Sequence, residues 1–118
     1  MPYVDGFILA VPTDKLEDYR KMAQTAGEIW KDHGALSFVE TVADDVPYGE
    51  VTSFPRAVLQ KEGETVVFSW ITYESREARD EINKKVMADP RLKIDDPSSM
   101  PFDGKRMIYG GFKTLIDL

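Results

Sequence analysis

Thr65-Val66-Val67-Phe68-Ser69-Trp70-Ile71-Thr72-Tyr73 is the stretch that decides the fold. β-Branched and aromatic residues fill it, and both types favour extended chain. Neighbouring residues of a strand face opposite sides of a sheet. Here both sides are apolar, with Val67, Ile71 and Tyr73 on one and Val66, Phe68 and Trp70 on the other. A strand of that kind belongs in the middle of a sheet. Tyr3 to Val11 repeats the pattern: Tyr3, Phe7, Leu9 and Val11 surround Asp5 on one face, and Val4, Ile8 and Ala10 form the other.

Helical periodicity occupies the intervals. Leu16, Tyr19, Met22, Ala23, Ala26, Ile29 and Trp30 recur at three- and four-residue steps opposite Lys15, Glu17, Lys21, Gln24 and Glu28. Thr13 is placed to cap this helix, and Gly34 suits the left-handed residue after its end. Leu36 to Ala43 alternates as a second strand, with Leu36, Phe38, Glu40 and Val42 on one side, and Asp44 to Gly49 has turn chemistry. Ser53 to Gln60 reads as a helical turn holding Pro55, and Ser75 caps a second long helix, with Ala78, Ile82 and Val86 at four-residue steps and Asp89-Pro90 as its stop. A loop of about sixteen residues follows, long enough to suggest a functional or mobile segment. A last strand runs from Arg106 to about Ile116, where Gly110-Gly111 predicts a bulge or a close approach of other chain.

Strand, helix, strand, strand, helix, strand is the α+β ferredoxin-like order, βαββαβ, with a four-stranded antiparallel sheet in a single domain over residues 1–118. Right-handed crossovers place both helices on one face. The other face then exposes large apolar side chains, each of which forfeits roughly 1.5 to 3 kcal/mol when left in water. A second copy packed sheet to sheet removes that cost and predicts a homodimer. The alternative is that the loop after Pro90 folds over the face and leaves a monomer.

With 118 residues, 15 Lys and Arg against 21 Asp and Glu, and a net charge of -6, the average field repels nucleic acid and anionic membranes. The absence of cysteine removes thiol catalysis, disulfides and zinc-thiolate or iron-sulfur sites, and one histidine cannot build a multi-histidine centre. No apolar run reaches membrane-span length and no leader pattern opens the chain, so a cytoplasmic protein with no metal and no cofactor is expected. Asp44, Asp45, Asp95 and Asp96 lack the spacing of a calcium loop.

His33 is the one side chain whose unperturbed pKa lies near neutrality, which makes it an acid-base candidate or haem ligand; its place in a last helical turn also suits a bond to terminal carbonyls. Asp5 and Glu40 interrupt apolar strand faces, where burial would raise their pKa and make them proton acceptors. For Asp5 the competing role is a salt bridge to Lys or Arg. Tyr109, Trp30, Phe68 and Trp70 are candidate cavity walls that plain core packing would equally explain, and Lys105-Arg106 could meet an anion at a pocket mouth.

Tyr3-Val4-Asp5-Gly6-Phe7, Ala43-Asp44-Asp45-Val46-Pro47, Glu64-Thr65-Val66-Val67-Phe68-Ser69-Trp70-Ile71 and the run from Met100-Pro101-Phe102-Asp103-Gly104-Lys105-Arg106 to Phe112 together resemble the bacterial YbaA-like family, domain of unknown function 1428. The likeness covers nearly the whole chain. It implies the dimeric α/β barrel superfamily, in which similar folds include cofactor-free monooxygenases, haem-degrading enzymes and small binding proteins. Two functions follow from that resemblance as expectations. One is a homodimeric small-molecule-binding protein with a pocket between sheet and helices. The other is a cofactor-free monooxygenase or isomerase with Asp5 as base, His33 or Tyr109 as proton partner, and Trp30, Phe68, Trp70, Phe102 and Arg106 around the pocket.

Overall fold

The computed structural model describes residues 2–92 and 100–118. Strands β1 (Tyr3–Pro12), β2 (Ser37–Val42), β3 (Glu64–Tyr73) and β4 (Ile108–Lys113) alternate with helices α1 (Leu16–Asp32), α2 (Phe54–Ala57) and α3 (Arg76–Met87). The sheet order is β2-β3-β1-β4 and every pairing is antiparallel, so the two doubly apolar strands are central as expected.

Register sorts the side chains. Tyr3, Asp5, Phe7, Leu9 and Val11 of β1 lie opposite Tyr73, Ile71, Ser69, Val67 and Thr65 of β3, and these residues face the helices. Around them two core clusters form. One joins Tyr3, Ile71 and Tyr73 to Ile29, Ile82 and Val86, and the other joins Leu9, Val11 and Val67 to Tyr19 and Ala23. Gly27 lets α1 settle onto β2, because a Cβ there would stand 2.8 Å from the Phe38 ring.

Several local details differ from expectation. Thr13 does not cap α1: Thr13–Lys15 forms a 3-10 turn before the helix, and the Thr13 hydroxyl instead meets that of Thr65 at 2.8 Å. Ser53 and Ser75 do cap, accepting hydrogen bonds from the Arg56 and Ala78 amides. The last strand is shorter than Arg106 to Ile116, since Gly104–Arg106 is a 3-10 turn and pairing stops at Lys113. The register through Gly110 and Gly111 is continuous, with no bulge. What Gly111 permits is close approach, because a Cβ there would overlap the Arg79 guanidinium and the Tyr3 hydroxyl.

The face away from α1 and α3 is only partly covered. Val58 of the α2 segment buries itself against Ala10 and Val66 at one corner, and Phe54 sets its edge on Phe68. Phe68, Ile108 and Phe112 stay 42, 42 and 63% exposed, beside Val4, Ile8 and Trp70. The described part of the long loop lies on the helix side, where Phe102 meets Tyr19 edge-on at 5.7 Å and packs with Met107 against the core. It does not cover the open face; residues 93–99, including Asp95 and Asp96, lie outside the described residues.

Candidate functional site

Two carboxylates interrupt the apolar helix-side face of the sheet, and their surroundings differ. Asp5, on the central strand, is 8% exposed. Its Oδ1 accepts from Arg79 Nε at 3.1 Å and its Oδ2 from the Tyr73 hydroxyl at 3.0 Å. Arg79 also donates to Asp80 and to the Tyr3 hydroxyl, while Trp30 Nε1 donates to Asn83 at 3.1 Å beside Tyr73. Burial first, then the adjacent Asp5 charge, pushes the Tyr73 phenol well above its ordinary range. Asp5 thus takes the salt-bridged role weighed for it.

Glu40, on the edge strand β2 opposite Ser69, is placed differently. The Tyr19 hydroxyl donates to its Oε1 at 2.7 Å, and no Lys or Arg among the described residues forms an ion pair with it. Crowding by neighbouring side chains pushes this carboxyl above the usual carboxylate range, against hydrogen bonds from Tyr19 and Ser69 that favour the charged form. Glu40 itself is exposed along β2, whereas Tyr19 is buried, and that burial raises its phenol far above its ordinary value, with the Glu40 charge adding to it.

Glu40, Tyr19 and Ser69 form the polar end of a cavity of about 170 Å3 between α1 and the sheet, whose walls include Phe7, Leu9, Trp30, Phe38, Phe102 and Met107. Tyr19, Ala23, Phe38 and Glu40 also line a groove of about 710 Å3 along the outer side of α1 and β2. The apolar interior therefore meets an open groove at the Tyr19–Glu40 pair. A carboxylate there can accept a hydrogen bond, bind a positive charge or take a proton.

The structure does not bring Asp5, His33 and Tyr109 together. His33 Nε2 lies 2.8 Å from Asp89, which Arg91 also clamps, and Arg91 reaches Asp32, so this group ties the C-terminal ends of α1 and α3. Bonds from Arg91 and then His33 hold the Asp89 carboxyl far below its usual range. Tyr109 stacks on Phe7 on edge strand β4 and is 72% exposed. Trp30 and Phe102 line the cavity. Trp70 borders it from β3, with its ring on the open face against Phe68 at 5.4 Å. Arg106 is not an anion ligand: its guanidinium grips both oxygens of Glu64, at 2.8 and 2.6 Å, and also bonds Asp103 and the Leu59 carbonyl. Tyr19 is the site residue that sequence reading missed, because inside an apolar helical stripe it looks like core.

Among the described residues no cluster of three or more His, Asp or Glu could hold a metal ion, and no helix is long and apolar enough to cross a membrane. Residues 2–104 match the model of a family described as "Protein of unknown function (DUF1428)". The chain is 58% identical over 117 residues to "Uncharacterized protein YbaA" of Escherichia coli strain K12, covering 99% of both chains, and equally similar to the Shigella flexneri protein of that description. Among solved structures it is similar to an uncharacterized NIPSNAP domain protein from Burkholderia xenovorans, with TM-score 0.58 and 15% identity over 95% of this chain and 93% of that one. It is also similar to a dimeric ferredoxin-like protein from an uncultured marine organism, with TM-score 0.55 and 12% identity over the full length of both. At such identities these two likenesses speak to the fold.

Proposed function

The chain belongs to the DUF1428 family, of unknown function, and from that premise we propose that it is a homodimeric protein that binds a small, largely apolar molecule between α1 and the sheet. The cavity ending in the Tyr19–Glu40 pair carries the binding reading. Its 170 Å3 is close to the size of an apolar cavity, about 150 Å3, that accepts one benzene ring. Its walls are aromatic and aliphatic, and its polar groups lie at one end, which is how ligand sites fix orientation.

Dimerisation is supported by the open face. Ile8 lies between Phe68 and Ile108 in register, and Val4 beside Phe112, so a continuous apolar surface crosses three strands. A second sheet packed at about 10 Å would cover it, giving the dimeric α/β barrel arrangement. The ferredoxin-like relative that is described as dimeric is consistent with this.

Two measurements test the proposal. Light scattering on a sizing column at micromolar concentration should give twice the chain mass, and Phe68→Glu should give one chain mass with unchanged far-ultraviolet circular dichroism; a monomeric wild type would refute the dimer. A thermal-shift screen with single-ring compounds should raise the melting temperature by mass action, and Ala23→Phe, which fills the cavity wall, should remove that rise.

A further inference from the structure

We propose that the ligand is a small hydrophobic amine bound as its cation, with the ammonium group on Glu40 and the hydrocarbon or ring among Phe7, Trp30, Phe38 and Phe102. This rests on the binding role proposed for the cavity and names the ligand's chemistry. A neutral apolar molecule would fill the cavity but leave unused the carboxylate at its polar end, which stands open to solvent on β2 with no Lys or Arg in an ion pair with it among the described residues. An ammonium group there gains a charge-assisted bond that a neutral group does not. Tyr19 spends its hydroxyl on Oε1 and stands where the pair meets the groove, so the carboxylate keeps acceptor capacity for a ligand.

The charges nearby agree. Glu17, Glu28, Asp32 and Glu40 line the outer groove against Arg20 and Lys31. Glu17 is paired with Arg20 and Asp32 with Arg91, while Lys31 Nζ donates to the Leu36 carbonyl and Glu28 accepts from Gln24. Beside those pairs Glu40 is a carboxylate of the groove without a basic partner among the described residues, in a chain whose net charge of -6 favours cations over anions. Aromatic walls add to this, because ring faces attract a nearby positive charge. On β3 the group facing Glu40 is Ser69, which is uncharged.

Benzylamine, benzyl alcohol and toluene share one ring and differ at one substituent, so titration calorimetry with all three on the wild-type protein isolates the charge. Benzylamine should bind about tenfold or more tighter than benzyl alcohol, as expected for a charge-assisted bond over a neutral one. Glu40→Gln should erase that preference while keeping alcohol binding, and the preference should shrink as acid protonates Glu40. Equal or tighter binding of the alcohol or toluene would overturn the amine assignment and leave the cavity a binding site. No binding by any of the three would overturn both. The wild-type series decides this even if the variant fails to fold.

Discussion

Replacing Asp5 with Ala should cost about 3 kcal/mol of folding stability, a figure that follows from its neighbours. The Asp5 and Arg79 side chains are 11 and 21% exposed, so water screens the pair little and truncation strands the guanidinium against Tyr3 and Gly111. Breaking a buried pair by removing one partner costs about 3 to 5 kcal/mol. The low end applies here because Arg79 retains Asp80, and because the Tyr73 hydroxyl has a second acceptor, Asn83 Oδ1, at 3.5 Å. With a urea dependence of about 1.5 kcal/mol per molar, the midpoint should fall by about 2 M. The companion is Asp5→Leu combined with Arg79→Met, which removes both charges and should recover most of the loss. All variants are compared at one protein concentration, since association contributes to apparent stability. A loss under about 1 kcal/mol for Asp5→Ala, or a double variant as unstable as the single ones added together, would refute the ion-pair reasoning.

Arg106→Met should lower stability by about 2 kcal/mol at neutral pH, because the Glu64 carboxylate loses a two-bonded partner. Arg106 holds the Glu64 carboxyl below its ordinary value, so that stabilisation is fully present above the unfolded pKa of about 4.3 and lost as pH falls through the lower folded value. Urea midpoints across the acid range should therefore fall less steeply in the variant than in the wild type. Glu40→Gln should do the opposite and raise the melting temperature at pH 7, by little, because Glu40 is exposed and water screens its charge. Its carboxyl is raised by folding, so the ionised form opposes folding above its folded pKa, and the variant's advantage should vanish below the unfolded one.

The strands were legible because β-branched and aromatic residues alternate along them, and the uncovered face was legible because Val66, Phe68 and Trp70 form a second apolar row. Glu40 was visible as a charge between Phe38 and Val42 on one strand face. Its meaning was not, since Tyr19 comes from the preceding helix and Ser69 from a strand paired across the sheet, and long-range register is absent from local periodicity. Arg79 was hidden for the same reason: it is 74 positions from Asp5 and resembles any exposed cation of an amphipathic helix. The loop's direction turned on Phe102 and Met107, two apolar residues that could equally have packed on either face.

Asp5 and Glu40 both interrupt apolar strand faces, and although the sequence points to Asp5 as the candidate base, the sheet separates them the other way. The central strand leaves its carboxylate little contact with water, so the charge is neutralised by a partner, and Gly111 leaves the room through which Arg79 reaches it. Once paired, that carboxylate has a cation and a phenol on it and little capacity for anything else. The edge strand tolerates an unpaired carboxylate because one side of β2 meets the groove, and there Tyr19 and Ser69 orient the group without cancelling its charge. In this fold the carboxylate with free acceptor capacity therefore lies at the β2 edge, beside α1, where the proposed ligand would meet it, while the carboxylate at the centre of the sheet holds the two layers together.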